Sequence, residues 1–246
     1  MTIYQVASVV CGGTIVKARV PRAIHERVTD LASTFDAGGE AVPTPIELYA
    51  RFMEHCVALD KTAAVAVLGA MCHEHSIPAT NIHVVIQQHG LDESAAQLVL
   101  RAYYSLWGVD EARPCYDAPG DRALPALFAS RETRLTAMFG GQPGSGAYLD
   151  EARWLLDVYR PLLGDYVSRM SAFLVAQTQD KRLKRIYREG LDVCAWLTDP
   201  ATAPNAEYLL SAPVSMPLAG LVQLMHVVVL YKTLGVTPGE VVRQFK

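Results

Sequence analysis

Apolar side chains recur at two different periods along this chain, and the changes of period divide it into elements. Near the N-terminus two β-prone runs, Ile3–Val10 and Thr14–Val20, flank Cys11-Gly12-Gly13 and predict a hairpin. From Pro21, suited to a first helical turn, the period becomes helical, with Ile24, Val28, Leu31 and Phe35 on one face. Thr44-Pro45-Ile46-Glu47 is a capping box with proline at the first helical position. The helix it opens presents Leu48, Tyr49, Phe52, Met53, Cys56 and Leu59. Helical segments follow over Thr62–His75 and Ile82–His89. Asp92 then caps a helix with the face Ala95, Leu98, Val99, Ala102, Tyr103 and Leu106, stopped by Gly108.

From Val109 to Glu132 the pattern breaks down into prolines, glycine and mixed charge, which predicts a surface connector. Leu135-Thr-Ala-Met-Phe139 reads as a short strand, Gly140–Gly146 as a glycine-rich loop. An amphipathic helix follows through Tyr148, Ala152, Leu155, Leu156 and Tyr159. Leu162, Tyr166, Val167, Met170, Phe173 and Leu174 mark the next helix, and Gly190–Leu197 a short amphipathic turn or helix ended by Asp199-Pro200. Ala201–Leu210 reads as loop. A long apolar helix starts at Ser215 with Pro217 and ends at Gly235, and Thr237-Pro238-Gly239-Glu240 is a second capping box. Because the chain stops just after opening that last element, we expect it to be cut from something longer. The fold class is therefore α/β but predominantly helical: a mostly helical region over 1–130, then the first part of an α/β domain over 131–246 whose sheet is incomplete.

Composition narrows the function classes. A hydrophobic fraction of 51% supplies a core, and a net charge of −3 gives nucleic acid nothing to bind. Five cysteines without framework spacing fit free thiols in a reducing, cytosolic compartment, and Met1-Thr-Ile-Tyr-Gln-Val lacks the basic and apolar regions of a signal peptide. Pro217–Gly235 is about as long as the shortest membrane spans, yet it carries Gln223, His226 and Lys232 without flanking belts, so a buried core helix and no membrane is the reading.

Candidate chemistry centres on the loop at 140–146, where backbone N–H groups gather near a helix N-terminus. An oxyanion hole needs such a donor, most naturally the N–H of Gln142; Pro143 has none to give. There is no Gly-x-Ser-x-Gly, no Walker lysine loop and no Gly-x-Gly-x-x-Gly, and Ser145 has no visible base. Cys72-His73-Glu74-His75 with His83 and His89 lacks the spacing that closes a zinc site, so it reads as a polar helix end and metal is not expected. Lys181, Arg182, Lys184, Arg185 and Arg188 read as a solvated helix face before a site for an acidic partner or coenzyme phosphates, and His226 as a hydrogen-bonded core histidine before a catalyst.

Four blocks carry a resemblance: Ala137-Met-Phe-Gly-Gly-Gln142, Tyr159-Arg-Pro-Leu-Leu-Gly-Asp165, Gly190–Pro200 and, most specific, Tyr208–His226, continuing through Leu234–Glu240. They resemble the N-terminal acetyltransferase region of the fungal fatty acid synthase β subunit, and Pro43–Leu48 matches it more loosely. The resemblance implies a transacylase that loads acetyl from acetyl-CoA onto the phosphopantetheine of an acyl carrier protein, with acetyl-CoA a substrate and no cofactor held by this segment. It implies a serine on Gly-His-Ser-x-Gly and a histidine, both expected beyond Lys246, so that Gln142 is the only site residue carried over. The chain alone would be inactive. Its partners would be the remainder of the β subunit or a second chain carrying the serine, together with an α subunit and carrier protein. The family's glycine after Gln142 is Pro143 here, which fixes φ where glycine is free. The alternatives are a non-catalytic assembly module of a megasynthase, or a starter transacylase of a polyketide pathway.

Overall fold

The computed structural model describes residues 2–36, 38, 42–77, 80–117 and 147–244, with side chains through Val241. Its contacts divide the chain into two units, Met1–Arg122 and Ala123–Lys246. The fold is predominantly helical, and the sheet among the described residues is a single antiparallel pair.

In the first unit, β1 (Tyr4–Cys11) pairs with β2 (Thr14–Pro21) in the register Cys11↔Thr14 to Tyr4↔Pro21. Gly12 and Gly13 have φ of 56° and 89°, the positive pair that a two-residue type I′ turn requires. Ala7, Val9, Val16, Ala18 and Val20 alternate inward and are buried. Pro21 thus ends β2, and α1 (Arg22–Thr34) starts one residue later than the proline suggested. In α2 (Pro45–Leu59) the capping box forms as read: Thr44 N–H donates to Glu47 Oε2 at 2.8 Å and Glu47 N–H to Thr44 Oγ1 at 3.4 Å. Ile46 joins the predicted buried face, and Leu59, 63% exposed, leaves it. Asp60 caps α3 (Lys61–Glu74), then come α4 (Ile82–Gln88) and α5 (Glu93–Tyr104), capped by Asp92 through Ala95 N–H. Tyr49, Phe52, Met53, Leu68 and Met71 form the centre of the core, each worth roughly 1.5–3 kcal/mol of burial. The predicted connector begins as packed structure: a 3-10 turn, Asp110–Cys115, buries Ala112 and Cys115.

The second unit is described from Ala147. It contains α6 (Tyr148–Leu163), α7 (Tyr166–Thr178), α8 (Val193–Thr198), α9 (Ala206–Leu210), α10 (Ala212–Leu234) and α11 (Pro238–Gln244). Helix α9, capped by Asn205, lies where a loop was expected. On α7, Phe173 is exposed rather than on the packed face. The basic stretch 180–188 forms exposed turns, not a helix face, since no apolar stripe anchors it. Helix α10 starts at Ala212, so Pro217 lies inside it. A proline there leaves the carbonyl four residues back without its helical donor. Here that carbonyl, Pro213 O, accepts the Tyr187 hydroxyl at 3.2 Å. Gly235 at φ 66° closes the helix, with Val236 N–H donating to Tyr231 O at 2.9 Å. By length and composition α10 passes for a membrane span. It packs on α6 and α7 all the same, while Met216 (62% exposed), Leu224 (45%) and Leu230 (46%) face outward, so the helix is half-buried rather than enclosed.

Candidate functional site

The predicted strand Leu135–Phe139 and the loop with Gln142, Pro143 and Ser145 lie outside the described residues. What is described begins where that loop hands over to α6. Its first turn is acidic, with Asp150 and Glu151, which offset the positive end of the helix dipole.

Both carboxylates are engaged. Asp150 accepts Arg153 Nη1 at 2.7 Å, and Arg153 Nη2 donates to Trp196 O at 2.8 Å, tying α6 to α8. Glu151 Oε1 lies 2.7 Å from Nε2 of His226 on α10. His226 is thus hydrogen-bonded, as expected, but not in the core: its side chain is 48% exposed. As an exposed pair the two side chains add at most about 1 kcal/mol to stability. The remaining described histidine hydrogen bonds go to Val6 O and to the Tyr104 hydroxyl, so no Ser–His or Cys–His dyad forms among the described residues. Glu151 was not legible as a partner in the sequence, standing 75 positions from His226.

On α6 and α7 the Tyr148 and Tyr166 hydroxyls, Arg153 Nε and Trp154 Nε1 are buried without hydrogen-bond partners among the described residues. Burial, with the Glu151 charge, pushes the Tyr148 phenol up, and burial alone does so for Tyr166. Orphans of this kind are rare in protein interiors.

The segments quoted for the resemblance are tied to one another. The Tyr208 hydroxyl donates to Gly190 O at 2.8 Å, and Ser171 Oγ accepts Cys194 N–H at 3.0 Å. Lys232 Nζ donates to Leu162 O at the end of α6, just past a kink at Tyr159 (φ −118°) that precedes Pro161. In the basic stretch, Arg182 pairs with Asp180 and Arg188 with Glu189.

The histidine-rich end of α3 does not assemble a metal site: no cluster of three or more ligating side chains occurs among the described residues. His73 is exposed, and the His75 and His89 rings meet edge-on at 5.2 Å. The neighbouring Cys115 thiol, together with burial, pushes the Cys72 thiol far up. That pairing carried no signal in the sequence.

Comparison with known proteins gives these contacts a context. A family model described as "Starter unit:ACP transacylase in aflatoxin biosynthesis" matches residues 137–239. The fatty acid synthase subunit beta of Schizosaccharomyces pombe is 33% identical over 169 residues, 69% of this chain and 8% of that protein. That of Saccharomyces cerevisiae is 31% identical over 218 residues, 83% of this chain and 10% of its own length. A third relative, the fatty acid synthase beta subunit aflB of Emericella nidulans, is 32% identical over 172 residues, 70% of this chain and 8% of that protein. The chain spans about a tenth of the length of these relatives. With one family across most of its residues and the starter-transacylase match across the second unit's helical frame, the chain belongs to the fungal-type fatty acid synthase β-subunit family.

Proposed function

We propose that the chain contributes the oxyanion donor and a helical wall to a starter acyltransferase. That enzyme moves acetyl from acetyl-CoA to the phosphopantetheine thiol of an acyl carrier protein in the cytosol. A serine hydroxyl attacks the thioester carbonyl, the carbonyl oxygen becomes an oxyanion facing the Gln142 N–H, and coenzyme A leaves as its thiol. The carrier thiol then attacks the acyl-serine in a second, equivalent displacement. The serine and its histidine belong to a Gly-His-Ser-x-Gly-bearing part of a β subunit, or to a second chain, assembled with an α subunit. The observation that supports this reading is the transacylase match over 137–239, which takes in Gln142 and ends past α10.

The test is to assemble the chain with the remainder of a fungal β subunit and follow acetylation of carrier protein by intact-mass spectrometry. Gln142→Pro removes the N–H and should lower kcat by about 10²–10³-fold. Pro143→Gly should preserve or raise it. Unchanged turnover in Gln142→Pro, or stable covalent acetylation of the chain alone by acetyl-CoA, would sink the reading. Assembly without any acetyl transfer would select the alternative, a non-catalytic assembly module.

A further inference from the structure

The first unit carries an elongated groove that the acyl-transfer chemistry does not use. Its floor is one face of α3, where Lys61, Val65, Gly69 and His73 follow at four-residue intervals over about 18 Å. Its walls come from the Arg19 end of β2, from Ile24 of α1 and from the 3-10 turn. The cavity volume is about 810 Å³.

One wall is an open strand edge. Val6 O accepts a bond from His25 Nε2 at 3.0 Å, so it points away from β2. Val6 pairs with Arg19 in the register, so Arg19 likewise turns its N–H and C=O away from β1. Outside the strand ladder, neither group of Arg19 has a backbone hydrogen bond among the described residues. The floor is unfilled as well: a Cβ built on Gly69 would meet nothing within 4 Å, so no packing contact accounts for a glycine in mid-helix. Arg19 and Lys61 form no ion pair among the described residues, Arg19 resting over the Tyr4 ring at 5.2 Å. Against these two cations the lining has one carboxylate, Glu111 on the 3-10 turn, which Cys115 anchors near the opposite end of α3 from Lys61.

From these features we infer that the groove binds an extended peptide with acidic side chains, which adds a strand to β2 at Arg19 and lays apolar side chains on Val65 and Gly69. Backbone pairing would supply affinity and the two cations would select for acidic residues.

The test is a selection of dodecapeptides from a random display library on the full chain, with synthetic copies of the enriched peptides measured by fluorescence anisotropy. Acidic residues alternating with apolar ones should be enriched. Gly69→Leu, which places a side chain in open space, should weaken their binding at least tenfold while the melting temperature holds or rises. Arg19→Glu with Lys61→Glu should abolish binding of acidic peptides. No enrichment, or enriched peptides that bind Gly69→Leu undiminished, would overturn the inference. So would dodecanoate binding to the wild type where no peptide does, which would make the groove an amphiphile site.

Discussion

Burial disfavours the charged form of the His83 imidazole and holds its pKa below the usual value; its Nε2 rests 3.3 Å from the Tyr104 hydroxyl. His75 is lowered too, first by burial and then by neighbouring His89, against the opposing pull of Glu74. Between such a lowered pKa and the unfolded value of about 6.5, the unfolded chain binds more protons than the folded one, so stability rises with pH. The first unit should therefore be fully stable above about pH 7 and lose stability as pH falls below about 6.5. Thermal melts between pH 5 and 8 measure this, and His83→Gln should flatten the slope. An equal slope in the variant would assign the effect elsewhere. Cysteine and histidine types were visible at 72–75, but their roles were not. Cys72 is set by Cys115 and His75 by His89, contacts that only the packing of α3 brings about.

Among the elements, α10 tests how a helix carries an internal proline. A helix-interior proline costs about 3 kcal/mol or more in a host without compensation. The Tyr187 hydroxyl recovers one of the losses by bonding Pro213 O. Tyr187→Phe should cost about 0.5–1 kcal/mol in urea unfolding, and close to nothing once Pro217→Ala has restored the helical donor. Additive effects of the two changes would show that the hydroxyl does not serve that carbonyl. Both capping boxes, Thr44–Glu47 and Thr237–Glu240, were readable because the signal is confined to four consecutive residues. Helix α9 was missed because its five residues are too few to show a period, and its cap at Asn205 looks like any turn residue.

For the whole molecule, contacts fall into Met1–Arg122 and Ala123–Lys246, each with its own buried side chains. Met1–Arg122 expressed alone should fold, with a cooperative thermal transition and dispersed amide resonances. A collapsed chain without a transition would mean that the first unit draws its stability from the second. Four buried polar atoms on α6 and α7 lack partners among the described residues, and α10 turns Met216, Leu224 and Leu230 outward.

By itself the sequence determined what depends on neighbours in the chain. The hairpin with its paired glycines, the capped helices, the glycine that closes α10 and the family blocks all rest on residues a few positions apart, where backbone geometry and side-chain period act directly. Tertiary structure decided what depends on distant partners: Glu151 against His226, Cys115 against Cys72, Tyr187 beneath the Pro217 gap, and the open β2 edge beside Gly69. Such pairs form because helices bury their apolar faces first. The polar groups carried along then bond with whatever that packing sets beside them, and no local pattern encodes the outcome.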